Sequence, residues 1–263
     1  MRTVVSLGGG RITSALIAGL RLAKKRYRLV VYDRNSGKLR SLKRDYQVQV
    51  ESDLQSAVKQ ADLLIIAVRP DSVRVLLNSI ERVDRKLLAV SLAAGIPLKN
   101  LRATLGPPVV WSRAMPSPVC RIRRGLTALT FPRSVSRADR RCVRELFLAI
   151  GQVIEIPERM MDAFTVTYSS SHGYHALAAL ANAAQDLGLD RQTALLASSH
   201  ALADGITAWR ESGHSLESLL EEAATPGGIA ATTMAAMDGS GYSSSIRKGL
   251  RAGLMRARAN ARK

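Results

Sequence analysis

Residues 3–17 read Thr3-Val-Val-Ser-Leu-Gly-Gly-Gly-Arg-Ile-Thr-Ser-Ala-Leu-Ile17, and a second apolar run, Leu29-Val-Val-Tyr32, ends on Asp33-Arg34. A short apolar strand runs into three glycines, the glycines open an amphipathic helix, and a second strand closes on an acid 25 residues after Gly8. This is the order of a dinucleotide-binding βαβ unit. Gly8 permits the tight turn. Gly10 lets the backbone approach a pyrophosphate held at the start of the helix, where Arg11 and Ile12 follow. Asp33 stands where a carboxylate can accept from an adenosine ribose hydroxyl. Thr13 occupies the third glycine position, where a smaller residue would bring helix and strand closer.

Outward from this unit, the first half alternates strand and helix signals. Strands are expected at Val4–Leu7, Leu29–Tyr32, Leu63–Val68, Leu87–Leu92, Val109–Ser112, Leu126–Phe131 and Val153–Ile156. Helices are expected near 12–25, 36–45, 53–60, 71–81, 97–104 and 137–150. The apolar runs lack alternation, which is the pattern of parallel strands buried on both faces. Beyond Pro157 Ala, Leu and Met recur at helical spacing, giving expected helices near 159–188, 191–211, 215–223, 227–238 and 242–261. The expected fold is α/β, an N-terminal Rossmann doubly wound sheet over 1–157 followed by an all-helical domain over 158–263. So small a helical unit cannot cover its own apolar faces, and a homodimer or higher homo-oligomer is the expected solution.

The net charge of +18 is unevenly placed. Residues 1–157 carry 29 Lys/Arg against 11 Asp/Glu, whereas 158–263 carry 10 of each. Such a field attracts phosphate-rich ligands. The basic residues are dispersed over helices, however, and aromatics make up 4% of the chain, so nucleic acid is not expected as a partner. Two cysteines, no secretory pattern and no apolar run of 18 residues lead to the expectation of a cytoplasmic protein outside the membrane. His172 and His175 are three apart, but no third ligand lies near them in sequence, so no metal is expected.

Seven short motifs then occur in order. They are Leu7–Ile17, Ile65-Ile-Ala-Val-Arg-Pro70, Ser91-Leu-Ala-Ala-Gly-Ile96, Arg113-Ala-Met-Pro116, Gly125-Leu-Thr-Ala-Leu129, Leu180-Ala-Asn-Ala-Ala184 with Leu187-Gly-Leu189, and Thr225-Pro-Gly-Gly228. Together they resemble the pyrroline-5-carboxylate reductase family, over the whole length. The resemblance implies reduction of 1-pyrroline-5-carboxylate to L-proline with NADP or NAD. It adds Ala67, Val68, Arg69, Pro70, Ala93, Ala94 and Met115 to Gly8, Gly10, Arg11, Ile12, Asp33 and Arg34 as cofactor residues. Asp33 alone favours NAD by repelling a 2′-phosphate; Arg34, Asn35, Ser36 and Lys38 can offset that charge, and the basic first half and the resemblance tilt the expectation to NADP.

The substrate half departs from the family pattern. The segment after Met115-Pro116 is one residue shorter, so the family's Asn is either missing or replaced by Ser117. Val166–His172 replaces a Ser-Gly-Ser-Gly-Pro-Ala-Tyr segment, and Ile229 and Ala230 replace two threonines. The candidates on this side are Thr225, Ser171 and His172 as catalytic residues, with Ser117, Ser169, Ser170, Gly227 and Gly228 binding substrate and Tyr168 nearby. The serine run could equally cap a helix or mark a kink near Gly173, and Thr225 before Pro226 could be an N-cap. These altered loops leave open a different imine substrate, or a catalytically silent dinucleotide-binding dimer.

Overall fold

The strand runs are continuous stretches of Val, Leu and Ile, and in the computed structural model, which describes residues 1–261, they form one eight-stranded sheet. Its strands are β1 (Thr3–Leu7), β2 (Arg28–Tyr32), β3 (Gln49–Glu51), β4 (Leu63–Ile66), β5 (Leu87–Ser91), β6 (Val109–Met115), β7 (Leu126–Thr130) and β8 (Gln152–Glu155). The order is β3-β2-β1-β4-β5-β6-β7-β8. The first six strands, in that spatial order, are all parallel. Helices α1 (Arg11–Leu22), α2 (Ser36–Tyr46), α3 (Leu54–Lys59), α4 (Pro70–Asn78), α5 (Leu98–Thr104) and α6 (Arg137–Leu148) connect and cover them.

Successive strand residues point to opposite faces, and each face has its own core. Val4, Leu29, Val31, Leu63 and Ile65 pack with α1, α2 and α6 on one side. Val5, Val30, Leu64, Ile66 and Trp111 pack with α3, α4 and α5 on the other. The Trp111 indole N–H, buried with the ring, donates to the Leu105 carbonyl at 2.7 Å.

The structure corrects the sequence reading in four places. β7 runs antiparallel to β6 and parallel to β8, so the last two strands are reversed relative to the other six. A run buried on both faces carries no record of its direction. β3 was not expected, because Gln49–Glu51 is short, polar and pairs only at the sheet edge. The helix expected over 159–188 is broken into a short 3-10 turn (Glu158–Met160), α7 (Met161–Thr167) and α8 (Ser170–Asp186). Ser169 causes the break: in extended conformation it caps α8, its Oγ accepting the Ser171 N–H at 3.4 Å, while Gly173 lies inside the helix without ending it. Thr225 is not an N-cap either. It opens a turn closed by the Gly228 N–H on its carbonyl at 2.9 Å, and the next helix begins at Ile229 with Gly228 as its cap.

Packing divides the chain into two units, residues 1–168 with the segment from Gly253 on, and residues 169–252. Residues 158–168 lie with the sheet because Met161 is fully buried and the Tyr168 hydroxyl accepts the Leu126 N–H at 2.7 Å. The second unit holds α8, α9 (Arg191–Ser212), α10 (Leu216–Ala223), α11 (Ile229–Gly239) and the first part of α12 (Tyr242–Asn260). Its buried residues are few, Ala181, Ala194 and Ser198, while Leu180, Leu196, Ile206, Trp209, Leu220 and Ile246 are exposed.

Candidate functional site

The parallel strands β2, β1, β4 and β5 finish level with one another, Leu7 pairing with Tyr32 and Ile66 and Ile66 with Ser91, while β6 pairs with Ser91 through Arg113 and runs on to Met115. Parallel direction puts every C-terminal end on one edge, so Gly8–Ile12, Asp33–Arg34, Ala67–Pro70, Ala93–Ala94 and Met115 come together there. The chain order reverses between β1 and β4, and a crevice at that switch point is where such sheets take ligands.

The glycine turn is held from three sides. The Gly8 N–H donates to the Tyr32 carbonyl at 2.7 Å, and the Ala67 N–H donates to the Leu7 carbonyl at 2.8 Å. Thr13 Oγ1 donates to the Gly8 carbonyl and lies 3.1 Å from Ser6 Oγ, so the side chain at the third glycine position locks the turn. Gly8 has φ +111, and a Cβ on it would stand 2.6 Å from the Ala67 carbonyl oxygen. Gly10 differs. It caps α1 in extended conformation without a side-chain hydrogen bond, and a Cβ there would meet nothing within 4 Å. The start of α1 thus has no side-chain cap and an open position beside it, an arrangement that suits an anion at a helix N-terminus. α4 likewise starts from Arg69 without a side-chain cap.

Asp33 works inside the chain. Its Oδ2 accepts the Gly9 N–H at 2.7 Å and faces Lys38 Nζ at 3.4 Å, while Oδ1 accepts the Asn35 N–H at 2.8 Å. Burial by itself raises its pKa, but the Asn35 and Gly9 N–H groups and the Lys38 ammonium outweigh that and hold it below the ordinary carboxylate value. A depressed folded-state pKa stabilises the fold above the unfolded value of about 3.9, and that stability is lost as pH falls through the lower folded value. Asp33→Asn is thus expected to cost stability at pH 7, with the gap to the parent closing below about pH 4. Melting temperatures of both proteins from pH 7 to pH 2.5 check this; a gap constant with pH would contradict it.

Oδ2 has two donors, Gly9 and Lys38, whereas Oδ1 has one and keeps a second lone pair for a ribose hydroxyl. Exposed Arg34 and Lys38 flank it. The thiols contribute no nucleophile: Cys120 and Cys142 are buried, and burial pushes Cys120 up to about 12.

The substrate-side candidates belong to both units. Ser117 is buried in the first unit, its Oγ accepting the Val119 N–H at 3.4 Å at the start of a short 3-10 turn. Tyr168 is spent on β7, as above. Ser169, Ser170, Ser171 and His172 form the start of α8 in the second unit, where Ser169 Oγ and Ser171 Oγ lie 2.7 Å apart. Thr225, Gly227 and Gly228 form the turn before α11, and Ile229 on its first turn is 89% exposed. Two features escaped the sequence reading. Arg113, 2% exposed on β6, pairs with Glu158 at 3.4 Å and faces Asp162 at 3.5 Å. Asn260 near the end of the chain donates to the Ala94 carbonyl at 3.2 Å. Arg113 had been visible only as part of a motif; nothing in sequence links Asn260 to a loop 166 residues earlier.

Comparison with known proteins covers both halves. Residues 3–95 match the family model described as NADP oxidoreductase coenzyme F420-dependent, and residues 158–260 the model described as pyrroline-5-carboxylate reductase dimerisation. A pyrroline-5-carboxylate reductase of Corynebacterium melassecola is 30% identical over 246 residues, 90% of this chain and 89% of that protein. One of Mycobacterium tuberculosis is 33% identical over 206 residues, 74% of this chain and 69% of that protein. The crystal structure of 1-pyrroline-5-carboxylate reductase from Streptococcus pyogenes shares the fold with a TM-score of 0.90, at 23% identity and 98% coverage of both chains. The Plasmodium falciparum pyrroline carboxylate reductase structure with NADP bound gives a TM-score of 0.89 at 21% identity, covering 99% of this chain and 98% of that one.

Proposed function

The chain belongs to the pyrroline-5-carboxylate reductase family, NAD(P)-dependent oxidoreductases that act on a C=N bond, and from that membership we propose that it reduces 1-pyrroline-5-carboxylate to L-proline with NADPH. The observation that carries this reading is the edge where five loops converge on the uncapped start of α1, with Gly10 facing open space. A dinucleotide fits there: N–H groups of α1 receive the pyrophosphate, Asp33 receives a ribose hydroxyl, and the loops 67–70 and 93–94 receive the nicotinamide half.

The nicotinamide, when bound, supplies the hydride. The protein's own part is to place it and to pair the substrate carboxylate. A cyclic imine protonates readily in water, so the iminium carbon accepts hydride while its nitrogen keeps the proton taken from solvent, and no acid–base dyad is required. Ser169–Ser171 at the start of α8 offer hydroxyls and helix N–H groups to that carboxylate, with Thr225, Gly227 and Gly228 supplying a second turn. Dimerisation through the second unit is part of the same reading. Its exposed leucines, Ile206 and Trp209 need cover, and its residues match the dimerisation model.

Lys38 and Arg34 tilt the choice of dinucleotide. Lys38 offsets the Asp33 charge at 3.4 Å, and the two cations can clasp a 2′-phosphate. Lys38→Ala is expected to lower kcat/KM for NADPH by about ten-fold while changing that for NADH by less than about two-fold. Loss of absorbance at saturating imine measures both; equal losses for the two dinucleotides would refute the assignment.

A second reading, reduction of a different imine, is favoured by one observation. Ile229, 89% exposed, and Ala230 begin α11 where the family pattern has hydroxyls. Assaying cyclic imines with and without a ring carboxylate separates the two. Preference for 1-pyrroline-5-carboxylate supports proline formation, and preference for an imine lacking the carboxylate overturns it.

A further inference from the structure

Gly95, directly after the Ala93–Ala94 segment, has φ +77, and a Cβ on it would collide with the Ala257 carbonyl of α12. Ala257 is 6% exposed, so this last part of α12 is seated against the β5–α5 connection. Two side-chain amides fasten it: Asn260 Nδ2 donates to the Ala94 carbonyl at 3.2 Å, and Asn100 Nδ2 donates to the Ala261 carbonyl at 2.9 Å. On the other side of the same loop, Ser91 Oγ accepts the Ala93 N–H at 3.3 Å. The loop after β5 therefore has its backbone gripped at Ala93 by its own strand and at Ala94 by the far end of the chain.

We propose that Asn260 is a positioning residue for the dinucleotide: its amide fixes the direction of the Ala94 carbonyl in the loop that receives the nicotinamide half. This rests on the reading of that edge as the dinucleotide site. The side chains at 93 and 94 are single methyl groups with no hydrogen-bonding atoms, so the direction of the Ala94 carbonyl is set by the Asn260 amide and not by the loop's own side chains. A carbonyl held by a donor has one orientation, and a carboxamide-bearing ring beside it then meets an acceptor of fixed direction. Without the donor, the orientation must be selected on binding, which weakens affinity in proportion to the competent fraction. The Ala257 contact sets the seat of the helix, and Asn260 sets the peptide.

The test uses the full-length protein with Asn260→Ala and Asn260→Leu. Leu keeps the branched outline and heavy-atom count of the Asn side chain and favours the helix, but cannot donate. NADPH affinity is titrated by its fluorescence, melting temperature is recorded, and KM for dinucleotide and for imine are measured separately. Both variants are expected to bind NADPH about three- to ten-fold more weakly, with melting temperature near the parent for Leu and imine KM unchanged. A Leu variant that binds NADPH like the parent would show that Asn260 only packs, and would overturn the proposal. If the parent itself binds no NADPH, the dinucleotide reading falls and this proposal with it; binding by the parent with unaltered variants overturns this proposal alone.

Discussion

Gly10→Asp is expected to abolish dinucleotide binding, weakening it by at least about 100-fold, in a protein that melts at or above the temperature of the parent. The position tolerates a side chain. Gly10 has φ −83 and ψ −174, open to any residue, and its Cβ would meet no atom within 4 Å. Aspartate is also a good N-cap, so it would satisfy N–H groups at the start of α1 that no side chain now caps. Those same groups then no longer face a pyrophosphate, and a fixed negative charge stands where two more would have to come. At an effective dielectric of about 20, a unit charge about 4 Å from each phosphate charge costs about 4 kcal/mol apiece, so a hundred-fold loss is a conservative figure. The neighbouring Gly8 gives the opposite outcome, because its positive φ and the Ala67 carbonyl at 2.6 Å leave no room for a methyl group. Fluorescence titration together with a thermal melt distinguishes the two. A Gly10→Asp protein that binds NADPH like the parent would show that the anion does not sit on α1.

Arg113→Met is expected to be the most damaging change to stability, about 3 kcal/mol, near the lower end of the cost of breaking a buried ion pair. Arg113 is 2% exposed and, among the described residues, is the cation that faces both Glu158, at 3.4 Å, and Asp162, at 3.5 Å. Among the described residues its Nε and Nη2 find no hydrogen-bond acceptor and Asp162 Oδ1 finds no donor, so the cluster is held by charge more than by directed bonds. Methionine fills most of the space but leaves two carboxylates close together. Glu158 also accepts the Leu98 N–H at 2.6 Å, and its side chain is 36% exposed, which lets water soften the penalty. Adding Glu158→Gln and Asp162→Asn to Arg113→Met should recover much of the loss, since it removes the unpaired charges as well. Urea denaturation of the three proteins measures it. A single variant within about 1 kcal/mol of the parent would contradict the role of this cluster.

The parts of the molecule that were legible in the sequence are those whose signal is local. The β1–glycine–α1–β2 unit was readable because a strand, a turn without side chains and a capless helix each leave a composition of their own, and Asp33 ends the unit. Leu63–Ile66 and Leu87–Ser91 were readable as buried strands for the same reason. The reversal of β7 was not, since direction is decided by where the connection returns and not by which residues are apolar. Ser169 illustrates a boundary hidden by competing uses: a serine can cap a helix or sit inside one, and only the extended backbone at this residue decides. The residues proposed to hold the cofactor converge because parallel strands share an edge, which follows from the fold. The contacts of Arg113 with Glu158 and Asp162, and of Asn260 with Ala94, join segments distant in sequence, so no spacing could announce them.

The most direct test of the reductase reading follows hydride itself. Purified protein is incubated with 1-pyrroline-5-carboxylate and NADPH deuterated at the nicotinamide C4, and the product is read by mass spectrometry, with Gly10→Asp as control. The reading predicts L-proline carrying one deuterium on the carbon that had been doubly bonded to nitrogen, formed one for one with oxidised dinucleotide and absent in the control. Unchanged imine beside a protein that binds the dinucleotide would contradict it.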